Sequence, residues 1–251
     1  MLEVKNISCG YDGENIIKNI SFNINSGDKL CIIGANGCGK TTLLKALCGL
    51  LPYSGSIRLC GKQISAYGKK ELAKKMALLS QLSAVYFPYT VYDTVALGRY
   101  AHLNGVFAQL KKEDREYVLH CIERVGLLGE KDKLISELSG GQLQRVFLAR
   151  LFAQSPDIIL LDEPTNHLDL KYQLELLRYI EDWSKASGKT VVGVMHDLNL
   201  ARQLFGRFIM LKNGGIFAEG GCEILTDDNL TGCFDVNIRA WMLESLKNWQ
   251  N

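Results

Sequence analysis

Residues 34–41 read Gly-Ala-Asn-Gly-Cys-Gly-Lys-Thr, which satisfies G-x-x-x-x-G-K-[ST] at every required position. A short apolar run, Leu30-Cys31-Ile32-Ile33, comes directly before it. Helical spacing follows from near Gly39 to about Leu47, with Gly49 as the stop signal. The order strand, glycine-rich turn, helix is the context the motif requires, and it frames the rest of the chain. Glycines let consecutive backbone N–H groups converge on phosphate oxygens. The N-terminus of the next helix points its dipole at the same charge. Lys40 then reaches the β- and γ-phosphates of a bound nucleotide, and the Thr41 hydroxyl can hold Mg²⁺.

The remaining pattern is strand and helix in alternation, with a helical insert in the middle, and it predicts an α/β core with added subdomains. Residues 1–33 read as strands and turns, with Asp12-Gly13 as a favoured turn pair. Helical spacing recurs at 69–75, 111–125, 142–153, 171–186 and 199–205. Thr90, with Asp93 three residues on, is a candidate N-cap. The run 77–80 reads as a buried strand, 158–161 is too short for a buried helix and suits a central parallel strand, and 190–195 reads as a second central strand. Residues 209–217 read as a hairpin, and 223–247 as helices packed on the outside.

Three further positions belong with Lys40. Asp162 and Glu163 close the strand 158–161. One carboxylate there can hold Mg²⁺ indirectly, and the next can polarise water for in-line attack on the γ-phosphate. Two adjacent acids can also be a plain surface pair, but a phosphate loop in the same chain favours the nucleotide reading. His196 emerges after the strand 190–195, at the carboxyl edge where open α/β sheets bind ligands. A γ-phosphate contact competes there with a cap or packing role. Gln81, after the strand 77–80, has an amide that can serve both water and Mg²⁺. By itself such a glutamine is equally an ordinary surface residue.

Leu138-Ser139-Gly140-Gly141-Gln142 carries the chain's resemblance to a known family. This run resembles the signature of ABC ATPases, and the order of the other motifs matches theirs. Tyr11 resembles the aromatic that stacks on adenine. Residues 34–42 resemble the Walker A loop, so that Gly34, Asn36, Gly37, Cys38, Gly39, Lys40, Thr41 and Thr42 would bind nucleotide. Gln81 resembles the Q-loop glutamine, 158–163 resembles Walker B, and Asp169 in Asn166-His167-Leu168-Asp169 resembles the D-loop aspartate. His196 resembles the switch histidine. The resemblance implies a P-loop NTPase fold with a RecA-like core, an N-terminal antiparallel β-subdomain and a helical signature subdomain. It implies one ABC ATPase domain over 1–251, with core and β-subdomain in 1–84 and 155–251 and the helical part in about 85–154. Two copies would sandwich two ATP molecules, each phosphate loop facing Ser139, Gly140, Gly141 and Gln142 of the other. Thr41 and Gln81 would touch Mg²⁺ directly and Asp162 mostly through water, with Glu163, His196, Gln81, Lys40 and Asp169 as the catalytic set. From chemistry alone, a hydroxyl and glycine N–H groups at a helix start are either a simple helix cap or a second anion site.

Residues 86–99 are similar to the ATPases of iron–siderophore, haem and vitamin B12 importers. In that branch the stretch receives a coupling helix from the permease. Tyr86, Phe87, Tyr89 and Tyr92 fit such a docking groove, although subdomain packing competes for these rings. The implied setting is the cytoplasmic face of an inner or plasma membrane. The implied partners are two polytopic permease subunits, a second copy of this chain and, indirectly, a substrate-binding protein. Soluble ABC proteins of the ribosome usually carry two cassettes, and DNA-repair relatives a long coiled coil; neither pattern is present. Ala35 stands where many members have proline, and Cys38 where serine is usual. His167 has no assigned task.

Composition excludes little and supports this reading. With 29 basic against 27 acidic residues, nothing points to nucleic acid as the partner. No apolar run approaches the ~20 residues needed to cross a bilayer, and the first residues do not read as a signal peptide. Among eight cysteines no pair has C-x-x-C spacing, so zinc is not expected and free thiols are. Cys31, Cys48 and Cys60 read as core cysteines.

Overall fold

The computed structural model describes residues 1–80, 88–103, 109–166 and 168–247. The chain opens with a hairpin of β1 (Leu2–Tyr11) and β2 (Glu14–Ile24). Asp12 and Gly13 join the strands with φ of 52° and 83°, the two left-handed positions that a two-residue hairpin loop needs. β3 (Lys29–Gly34) runs into α1 (Lys40–Leu47). Next come β4 (Tyr53–Leu59), β5 (Lys62–Gln63), α2 (Lys69–Lys75) and β6 (Met76–Leu79). Three helices follow, α3 (Val91–Ala96), α4 (Lys112–Arg124) and α5 (Gly140–Ala153). Alternation then resumes with β7 (Ile158–Asp162), α6 (Leu170–Ser187), β8 (Thr190–Val194) and α7 (Leu198–Leu204). The hairpin β9 (Arg207–Lys212) and β10 (Gly215–Gly220) leads to α8 (Asp227–Phe234) and α9 (Ile238–Lys247).

Two sheets result. One is antiparallel, in the order β2-β1-β4-β5. The other has the order β10-β9-β3-β8-β7-β6, parallel from β9 to β6 with β10 antiparallel at one edge. Every residue of β7 and β8 is buried, as expected for strands covered on both faces. Because successive side chains alternate, one strand serves two cores. Leu30, Ile32, Leu160 and Val192 pack with α1 and the antiparallel sheet, while Cys31, Ile33, Leu161 and Val191 pack with α4, α5 and α6. Phe152 of α5 stacks on Trp183 of α6, with ring centroids 5.6 Å apart and planes 8° from parallel.

Local signals read from the sequence reappear at the element ends. Thr90 caps α3, its hydroxyl accepting from Asp93 N at 3.0 Å. α5 begins at Gly140 rather than Gln142, because Ser139 is the N-cap and the glycines form the first turn. Cys60 corrects an expectation: it is exposed, at φ 50° in the turn between β4 and β5, not in the core. Cys31 is buried and Cys48 half-buried. Tyr92 packs against the helical core, so core packing claims that ring, whereas Tyr89 is exposed. Gln81, Tyr86, Phe87 and His167 lie outside the described residues. Among those described, no helix is long and apolar enough to cross a membrane.

Candidate functional site

The glycine-rich loop joins β3 to α1 at the carboxyl edge of the parallel sheet. Gly34 pairs with Leu211 of β9, and a Cβ there would lie 2.3 Å from the Leu211 carbonyl oxygen. Gly39, at φ 104°, leaves room for Ile17, whose Cδ1 would be 2.5 Å from an added Cβ. Lys40 is buried and folds back on the loop, its Nζ donating to Gly34 O at 2.8 Å and Ala35 O at 3.0 Å. A cleft of about 520 Å³ opens above it. Asn36, Gly37, Gly39, Lys40, Thr41 and Thr42 line one side, Glu163, Asn166 and His196 the other, and Ile16 the rim.

β7 and β8 bring the far side together. Asp162 pairs with Val194 in the parallel register, so the residues after both strands leave the sheet side by side. Asp162 is buried, and Thr41 Oγ1 donates to its Oδ1 at 3.0 Å. Burial pushes the Asp162 carboxyl above the usual carboxylate range, and the Glu163 charge adds to the rise. The Thr41 hydroxyl, Lys45 and Lys40 pull it back. A buried carboxylate and a hydroxyl converging in this way are hard oxygen donors of the kind Mg²⁺ takes, and a cation would offset the desolvation of Asp162.

Glu163 sits one residue past β7 at φ 53°, with its N–H donating to Val194 O at 3.1 Å. His196 Nε2 is 2.5 Å from Glu163 Oε1, and Asn166 Nδ2 donates to Oε2. The turn that follows is held by two helices. Gln144 Nε2 of α5 donates to Pro164 O at 2.9 Å, and Gln173 Nε2 of α6 to Leu168 O at 3.0 Å. Asn166, Ile16 and Gln144 escaped the sequence reading as single residues. The only local hint was that Asn166 stands three residues after Glu163, a spacing a tight turn brings together.

Several expected residues lie apart from the cleft. Ser139 caps α5 by accepting from Gln142 N at 3.3 Å, while Gln142 Oε1 accepts from Ser139 N at 3.0 Å. None of Ser139, Gly140, Gly141 and Gln142 lines the cleft of their own chain. Asp169 is exposed and caps α6, accepting from Tyr172 N at 3.1 Å. Tyr11 is exposed beside Lys45, and its ring is not among the cleft residues. The Cys38 side chain turns into the core, near Gly34. Only its backbone remains available to a ligand.

Comparisons with known proteins bear on the family and the fold. The ABC transporter family model matches residues 17–166. An uncharacterized ABC transporter ATP-binding protein of Bacillus subtilis, YvrA, is 39% identical over 97% of this chain, which spans 56% of YvrA. The iron(3+)-hydroxamate import ATP-binding protein FhuC of Bacillus subtilis is 37% identical over 94% of this chain and 88% of its own. Among solved structures, an inward-facing metal-chelate type ABC transporter matches with TM-score 0.81 and 32% identity, over 94% of this chain and 89% of that one. The dimeric post-hydrolysis ATP-binding cassette MJ0796, bound to ADP and Pi, matches with TM-score 0.78 and 30% identity, over 88% of this chain and 98% of that one. With this phosphate loop, acid pair and histidine on a matching fold, the chain belongs to the ABC transporter family as an ATP-binding, ATP-hydrolysing subunit.

Proposed function

We propose that this chain hydrolyses MgATP in the cleft between the glycine-rich loop and Glu163, and that the reaction powers import of a metal chelate through a membrane permease. The observation that carries the hydrolytic reading is the convergence of Lys40, Thr41, Glu163 and His196 on one cleft, with buried Asp162 held to Thr41 by a hydrogen bond. Backbone N–H groups of residues 36–41 bind the phosphates, and the Lys40 ammonium leaves the loop carbonyls for the β- and γ-oxygens. Thr41 and Asp162 would hold Mg²⁺, with Gln81 as a further ligand, and the ion would supply positive charge to offset that on the transferred phosphoryl group. Glu163 accepts a proton from the attacking water, and His196 donates to the γ-phosphate from Nδ1 while Nε2 holds Glu163. Tyr11 stacks on the adenine.

The anion site at Ser139, Gly140, Gly141 and Gln142 caps an exposed helix start away from its own cleft. It therefore acts on the ATP of a second copy, with Asp169 near the same interface. In this reading residues 85–154 form the helical subdomain, and 1–84 with 155–251 form the core and β-subdomain. The likeness to FhuC and to a metal-chelate type transporter supports an iron–siderophore, haem or cobalamin-like cargo. Two polytopic permease chains, with a substrate-binding protein on the far side, complete the assembly at the cytoplasmic membrane face. Another importer or an exporter is the second reading.

Glu163→Gln tests the chemistry. The variant binds ATP, forms dimers and turns over at least about a hundredfold more slowly; normal turnover rejects Glu163 as the base. Purification from native membranes in mild detergent tests the partner. A stoichiometric polytopic protein is expected, and a soluble partner alone rejects the transport reading.

A further inference from the structure

We propose that Asn166 is a positioning residue for the hydrolytic carboxylate. Its amide and the His196 ring grip the two oxygens of Glu163, one each, and aim the remaining lone pairs at the cleft. The inference rests on the reading of Glu163 as the base. A glutamate one residue beyond a strand, at φ 53°, is not aimed by the sheet itself. Its carboxylate has about four acceptor positions and can rotate about its terminal bond. Two donors on opposite oxygens stop that rotation. In this chain they come from different elements: His196 after β8, and Asn166 in the turn after β7.

Among the described residues, two other cleft donors, Lys40 and Thr41, are already engaged. Lys40 is held by Gly34 O and Ala35 O, and the Thr41 hydroxyl by Asp162. Asn166 is in turn well anchored. Its N–H donates to Glu163 O at 3.2 Å, closing the turn. Gln144 and Gln173 hold the turn's carbonyls from α5 and α6. The amide therefore reaches Glu163 from a fixed point, and a bond to an ionised acceptor is stronger than one between neutral groups. The same turn leads through Asp169 into α6, so a shift of that helix start would change the aim of the base.

Asn166→Asp tests this because it keeps the shape, removes the donor and sets a like charge against Glu163, so its loss should be at least that of the uncharged variant. Asn166→Ala is the companion, and both are made in the full chain. We would measure steady-state MgATP hydrolysis and the affinity of a fluorescent trinitrophenyl-ATP probe. Both variants should lower kcat by about ten- to hundredfold, while in Asn166→Ala, which adds no charge, KM and probe affinity stay within about twofold. On a Glu163→Gln background, Asn166→Ala should cost less than about a further twofold, because the group it positions is gone. Normal kcat in Asn166→Asp overturns the proposal while leaving Glu163 as the base. So does a full, independent loss on the Glu163→Gln background. Normal turnover of Glu163→Gln overturns the base reading and this inference with it. Loss of probe binding in both Asn166 variants would make the residue a nucleotide contact and likewise overturn it.

Discussion

The side-chain amide of Gln144 donates to the backbone carbonyl of Pro164 at 2.9 Å, in a buried position. It ties the second turn of α5 to the residue after Glu163. Gln144→Met keeps length and volume but leaves Pro164 O unpaired, which costs about 1–3 kcal/mol. The thermal midpoint of the nucleotide-free chain should fall by about 2–4 °C per kcal/mol. Turnover should fall about tenfold as the Glu163 turn loosens. Calorimetry and ATPase assays at a temperature where both proteins are folded check the two effects separately.

Asp162 has a carboxyl raised by burial, so the folded chain holds that proton to higher pH than the unfolded one. Its contribution to stability is therefore lost as pH rises from the usual carboxylate range through the raised value. Asp162→Asn removes that penalty. It should stabilise the nucleotide-free protein at neutral pH and flatten this part of the pH–stability curve. It should also abolish the extra stabilisation that MgATP gives over ATP with a chelator. Thermal melts across pH, with and without Mg²⁺, decide; lower stability of the variant at neutral pH would contradict the sign.

Burial pushes the Cys38 thiol above the usual cysteine value, whereas Cys60 and Cys222 are exposed. Alkylation should therefore reach Cys60 and Cys222 first, and Cys38 slowly, faster as alkaline pH supplies thiolate. A bulky adduct at Cys38 has no space beside Gly34 and should distort the loop, so modified protein loses ATP binding and ATP slows the modification. Peptide mass spectrometry follows each site. Full nucleotide binding by protein modified at Cys38 would contradict this.

Arg99 Nη2 pairs with Asp114 Oδ1 at 2.9 Å, both side chains largely buried, and Nη1 donates to Ala153 O at 3.0 Å. Arg99→Met strands Asp114 and that carbonyl. The expected cost is about 3–5 kcal/mol, read by urea unfolding. Lys112→Met, at an exposed ion pair, should cost under about 1 kcal/mol.

The sequence by itself determined the phosphate loop, the parallel strands and most helix ends. Those signals are local: glycine spacing, uninterrupted apolar runs, and caps such as Thr90 with Asp93, each acting over three or four residues. It also named Glu163 and His196, since both stand directly after apolar strands. What joins them, however, is the β7–β8 register that sets Asp162 against Val194. Tertiary structure alone decided that Asn166 and His196 share one carboxylate, that Gln144 reaches Pro164, and that Ser139 stands clear of its own cleft. It also turned Cys60 outward, although neighbouring apolar residues suggested a core site. A side chain's environment depends on which elements pack against it, and hydrogen bonds between residues far apart in the chain exist only once the sheet order is set.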